Sequence, residues 1–164
     1  VSLYVNIPAT GWTRVDVSSN KQDQDFTVDG QSYTIAEFIG YVPNNNAAAA
    51  TLTLQPNAVS TGQSAKEIAF DSAVGGANYA TLYVGLAPAS GFMQFNLRVL
   101  LKTGTKRYTS GDYTYVASTD VVTGISTTRG QWTDTTTAIT SLRFHSDRAD
   151  GIKAGSVFWY RLTP

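Results

Sequence analysis

The chain alternates. Leu3, Val5 and Ile7 are interleaved with Ser2, Tyr4 and Asn6, and Trp12 to Val17 alternates again. Further runs of the same kind are Thr51 to Leu54, Tyr79 to Val84, Phe92 to Leu101, Tyr113 to Val116, Ile139 to His145 and Val157 to Leu162. A period of two puts successive side chains on opposite faces of a pleated strand, and the β-branched and aromatic residues in these runs fit a half-buried sheet surface. This pattern restricts the chain to an all-β fold, because an amphipathic helix needs a period of 3.6.

Turn signals separate the runs: Asn20-Lys21, Asp29-Gly30, Pro43 to Asn46, Gly75-Gly76, Ser90-Gly91, Thr103-Gly104, Ser110-Gly111 and Asp150-Gly151. Glycine reaches positive φ without strain, and Asn and Asp tolerate it. Short strands at close spacing predict a sandwich or barrel, and the fold expected for the chain is a jelly-roll-like antiparallel β-sandwich. Leu97 to Tyr108 predicts a hairpin turning at Thr103-Gly104. Thr34 to Ile39 is the one helical expectation, a short turn with Thr34 as N-cap and Glu37 at the capping-box position. Ala47 to Ala50 lies between asparagines and a Thr-Leu-Thr-Leu run, and is read as a loop entering a strand. There is no linker, composition change or fixed-period repeat, so residues 1–164 are read as one domain. Because the sequence starts at Val1 in a strand-like run, it is expected to be the C-terminal part of a longer protein.

Composition narrows the partners. Lys+Arg and Asp+Glu are 12 each, for a net charge of +0, so no global field draws in nucleic acid or an anionic membrane. Charged residues are 15%, below the roughly 25% of ordinary soluble domains. Thr, Ser, Asn and Gln carry the polarity instead, as suits a surface of hydroxyl and amide contacts. No apolar run is long enough to form a membrane-crossing helix. With 0 cysteines there is no disulfide or thiolate metal site.

Groups for catalysis are scarce. His145 is the single histidine and alternates with Phe144, which reads as a strand histidine and not a triad base. Asp23, Asp25 and Asp29 are expected to cluster in one loop, and Asp23-Gln24-Asp25 resembles the start of a calcium loop but lacks its glycine and terminal glutamate spacing, so capping and turn roles are preferred. Asp147 to Gly151 reads as a polar turn. Lys102, Lys106, Arg107 and Tyr108 form a small basic patch, better explained as a solvated hairpin. No catalytic residue, metal or cofactor is expected.

Aromatic residues remain. Sugars are recognised by aromatic faces together with Asp, Asn, Gln and Arg that fix the hydroxyls. Trp132, within Arg129-Gly130-Gln131-Trp132-Thr133-Asp134, is the first candidate platform, with Arg129 and Asp134 beside it. Tyr108, Asp112 and Tyr113 surround a second turn. Trp12 and Trp159 lie within alternating strands and are expected in core or interface.

The end of the chain is similar to a known group. Ala138-Ile-Thr-Ser-Leu-Arg-Phe-His-Ser146, a polar loop, and Gly155-Ser-Val-Phe-Trp-Tyr-Arg-Leu162 resemble the closing strands of jelly-roll domains in bacteriophage tail fibres, tailspikes and related virion proteins. The resemblance covers residues 138–164 and carries no catalytic residues. It implies an extracellular virion setting, a homotrimer, and a non-catalytic role in binding host cell-surface saccharide or in trimer assembly. A capsid-decoration or trimerisation domain without ligand, and a polysaccharide-acting hydrolase, are the alternatives. Out-of-period Ile139 and Leu142 suggest a bulge in the first of these strands.

Overall fold

The computed structural model describes residues 11–69, 78–117 and 122–164. The strand expected at Leu3 to Ile7 and the turn at Gly75-Gly76 lie outside them. The strands are β1 (Thr13–Asp16), β2 (Asp23–Thr27), β3 (Ile35–Asn44), β4 (Ala50–Pro56), β5 (Gln63–Ala69), β6 (Asn78–Tyr79), β7 (Leu82–Ala87), β8 (Gly91–Leu100), β9 (Arg107–Val116), β10 (Val122–Trp132), β11 (Ser141–Ser146) and β12 (Val157–Thr163). They build an eight-stranded sheet, β1-β12-β3-β8-β9-β10-β5-β6, and a four-stranded sheet, β2-β11-β4-β7. Every pairing is antiparallel. Early strands pair with late ones in both sheets, β1 and β3 with β12, and β2 and β4 with β11. This nested pairing is the jelly-roll-like sandwich that the alternation predicts.

The aromatic residues of the inner faces hold the two sheets together. Phe26 and Phe144 from the small sheet meet Phe38 and Phe158 from the large one, with ring centroids 5.1 Å apart for Phe26–Phe38 and 5.3 Å for Phe144–Phe158. Phe38, Phe144 and Phe158 are at most 1% exposed. Edge-to-face packing of this kind stabilises beyond area burial, and truncating one such ring costs about 3–5 kcal/mol. Gly40 is part of this arrangement. It sits opposite Phe95, whose ring fills the space a side chain would take, so that an added Cβ would be 2.1 Å from Phe95 Cε1.

Thr34 to Ile39 is not a helical turn. Ile35–Asn44 is a ten-residue strand with strictly alternating burial. Its backbone is bonded on both sides, to β12 and β8, and the amide of Thr34 donates to the Thr163 carbonyl. Glu37, expected to reach back to Thr34, instead pairs with arginines on the two neighbouring strands. Sheet partners outside the local window override a weak capping signal.

The β8–β9 hairpin turns where expected, with Gly104 at φ +85°. Ala50 opens β4, as the loop-to-strand reading requires. The β11 segment differs from expectation. Its register with β2 and β4 is continuous, and Ile139 is out of period because it precedes the strand. Ile139 is fully buried there, its amide and carbonyl region closing over Gly30, and the Asn57 side chain accepts from the amides of Thr140 and Ser141.

Candidate functional site

The outer face of the eight-stranded sheet carries the polar side chains that alternate with the core. Strand register sorts them into rows running across the strands. One row reads Arg161–Glu37–Arg98–Ser110–Arg129–Lys66, from β12 to β5. The adjacent row reads Arg14–Trp159–Ile39–Asn96–Asp112–Thr127. Between them runs a shallow groove of about 290 Å³ lined by Trp12, Glu37, Asn96, Arg98, Ser110, Asp112 and Arg129, among others.

The charged groups along the groove have defined surroundings. Glu37, with a 20% exposed side chain, accepts from Arg161 Nε at 2.5 Å and lies 3.7 Å from Arg98 Nε. It is the single carboxylate of its row and is shared by two arginines. Arg129 is braced by the Thr127 hydroxyl at 2.7 Å and by the carbonyls of Thr128 and Gly111. Bracing of this kind fixes a guanidinium before any ligand arrives, which lowers the ordering cost of binding. Asp112 and Lys66 are exposed. At the groove's rim the Arg161 guanidinium lies 4.9 Å from the centre of the Trp12 ring, so Trp12 walls the groove beneath a cation.

The structure separates the residues singled out from the sequence. Arg129, Asp112 and Tyr108 share the outer face of the large sheet, Tyr108 being 51% exposed and one row nearer the hairpin. Trp132 does not offer a platform: it is 3% exposed and belongs to the core. It ends β10 on the inner face, where the buried Arg107 guanidinium lies 5.2 Å from its ring centre. Arg107 in turn donates to the carbonyls of Asp134 and Thr137. The polar stretch Arg129 to Asp134 reads as loop-like in sequence, but Arg129 to Trp132 is strand paired on both sides.

Tyr113 is also turned inward, 3% exposed, with its hydroxyl donating to Glu67 and lying 3.2 Å from that of Tyr83. Burial, and then the Glu67 carboxylate, push its pKa up. Asp134 sits in the loop after β10. The Thr137 side chain and amide and the Thr136 amide bond its carboxylate and hold it well below the usual range. Its neighbourhood, with Asn57, Thr61, Gly62 and the edge of Trp132, forms a second depression of about 360 Å³.

The acidic residues and the histidine have structural partners, and Asp23 and Asp25 lie in strand β2, not in a loop. Asp25 receives Arg143 in a two-pronged bond, at 2.8 and 3.2 Å. Asp29 accepts from the amides of Gln31 and Ser32. His145 Nδ1 lies 2.7 Å from Asp23. Thr53, its cross-strand neighbour, points its hydroxyl at the His145 carbonyl and not at the imidazole. Among the described residues, no group of three or more His, Asp or Glu side chains is placed to hold a metal ion.

No family model and no curated protein matches the chain. Among solved structures, similarity is found to a PL-14 alginate lyase from the marine Aplysia kurodai, at 11% identity and a TM-score of 0.28, over 90% of this chain and 72% of that one. Similarity is also found to the infectious bursal disease virus Gx strain structure, at 12% identity and a TM-score of 0.15, over 94% of this chain and 32% of that one.

Arg129 and Asp112 were named from the sequence, but the other groove residues escaped it because they come from separate strands. Trp12, Glu37, Asn96, Arg98 and Arg161 are distant in sequence and meet only through register. One signal was present: Trp12-Thr-Arg14 and Trp159-Tyr-Arg161 repeat the same spacing. Paired antiparallel, the two triplets set Arg14 opposite Trp159 and leave Trp12 beneath Arg161.

Proposed function

We propose that this domain is a non-catalytic carbohydrate-binding module of a virion, using the outer face of the eight-stranded sheet. The observation that supports it is the groove lined by Asn96, Ser110, Asp112 and Arg129. An amide, a hydroxyl, a carboxylate and a guanidinium on adjacent rigid strands present both donors and acceptors, the set that ring hydroxyls require. The virion setting rests on the resemblance of residues 138–164. The test is binding of surface polysaccharides by the wild type and by an Asn96→Leu/Ser110→Val double variant. Loss of binding with an unchanged melting temperature is expected. Undiminished binding by the double variant would remove the groove from the reading.

Homotrimer assembly is a second role, and a specific observation favours it. Ile68 and Ile125, 47% and 50% exposed, lie on the outer face of β5 and β10 beyond the polar groove. Exposed aliphatic neighbours on a sheet mark contact surfaces. Light scattering should give about three times 17.6 kDa, and Ile68→Asp/Ile125→Asp should return the mass to one chain. A wild-type monomer would overturn this role.

A further inference from the structure

We infer that the groove takes an acidic polysaccharide, a linear glycan whose carboxylates seat on Arg98 and Arg129 and extend toward Arg161 and Lys66. This rests on the carbohydrate reading and names the class of glycan.

The argument starts from an imbalance. The chain as a whole carries a net charge of +0. The row Arg161–Glu37–Arg98–Ser110–Arg129–Lys66 nevertheless holds four cations against one carboxylate, all on one solvent-facing strip of sheet. Glu37 is engaged mainly by Arg161, at 2.5 Å against 3.7 Å for Arg98. Arg98 is left with a 60% exposed side chain and a loose partner. Arg129 is exposed, and its bonds go to neutral oxygens of Thr127, Thr128 and Gly111. Its charge is therefore oriented but not neutralised within this network, and a planar guanidinium fork suits a carboxylate.

Spacing adds the polymer. Neighbouring strands lie about 4.8 Å apart, so Arg161, Arg98 and Arg129, on every second strand, advance by roughly 10 Å per step across the sheet. Arg98 and Arg129, two strands apart in the groove, with Arg161 paired to Glu37 at its rim, fit an extended chain with an acidic group on alternate sugars, the axis running across the strands. The carboxylate Asp112 faces the groove from the adjacent row. It accepts from hydroxyls and opposes dense negative charge, which sets a lightly charged uronate chain above a heavily charged one. Nucleic acid is the poorer fit. Single strands are held largely by stacking on aromatic faces, whereas Trp12 and Trp159 each lie beneath an arginine.

The experiment is a titration of the protein with polygalacturonate and hyaluronan, each beside its carboxyl-reduced form, at physiological salt. The acidic forms are expected to bind and the reduced forms to bind at least tenfold more weakly. Arg98→Gln/Arg129→Gln should lose at least tenfold toward the acidic polymers with an unchanged melting temperature, since both side chains are exposed. Asp112→Asn should bind them several-fold more tightly. Equal binding of acidic and reduced forms, abolished by Asn96→Leu/Ser110→Val, would overturn the acidic assignment and leave the carbohydrate groove standing. No binding of any polymer, or binding indifferent to every groove variant, would overturn both. Equally tight binding of a single-stranded oligonucleotide would overturn the acidic-glycan assignment in favour of a general polyanion surface.

Discussion

Arg161 lies with its guanidinium carbon 4.9 Å from the centre of the Trp12 ring while its Nε donates to Glu37 at 2.5 Å. One side chain thus ties the strand end before β1 to β12 and β3. Its counterpart, Arg14, lies 5.4 Å from the Trp159 ring centre and bonds Asp16. Two tryptophans and two arginines clasp the first and last described strands on the sheet's outer face. Arg161→Gln should cost about 1 kcal/mol, the sum of a part-exposed cation–π contact and a part-exposed ion pair. Urea denaturation would measure it, and a loss within error would show the clasp to be energetically idle.

Trp132→Ala should act on stability and not on recognition. The ring is buried, and its removal opens a cavity beneath a buried arginine. A cost of about 3–5 kcal/mol is expected, read as a fall in the denaturation midpoint. Where the variant remains folded, polysaccharide affinity should match the wild type. Lost affinity in a variant of native stability would return Trp132 to the binding surface.

Gly40→Ala should destabilise by about 1–3 kcal/mol through overpacking. The new methyl would meet the Phe95 ring, which lies in a packed aromatic cluster with Phe144 and Phe158 and has little room to swing away. The companion variant Gly104→Asn changes a turn glycine with open space around it. It should fold normally, since Asn tolerates the left-handed region. Comparable melting temperatures for the two variants would contradict the close-approach account.

Asp134 makes stability depend on acid. The Thr137 and Thr136 bonds depress its pKa in the folded state below the usual carboxylate value. A carboxyl depressed by folding contributes stability above its unfolded pKa and loses that contribution as pH falls through the folded value. The acid limb should therefore begin near pH 4 and steepen below it. In Asp134→Asn, with no proton to take up at this position, the limb should be shallower. Identical acid limbs would show that the loop bonds do not favour the ionised form.

Alternation settled the all-β sandwich, and single turns such as Gly104 were legible because φ preference is a property of the residue itself. The closing strand alternates as read, but the string did not say which face is inner: Phe158 is buried, while Trp159, expected in core or interface, stands half-buried on the outer face beneath Arg14. What failed were judgements about neighbours. Thr34 to Ile39 had local helical signals, yet β8 and β12 satisfy its backbone from far away in sequence. Trp132 had polar neighbours, yet strand parity points it into the core, and the local string does not reveal which parity faces inward. The groove as a whole was hidden for the same reason: Arg129 and Asp112 were named from the sequence, but nothing in the string set them beside Asn96 and Arg98. Register between strands decides which of the alternating polar residues stand side by side, and register is fixed by how two inner faces pack, a relation among residues that the order of the chain does not display.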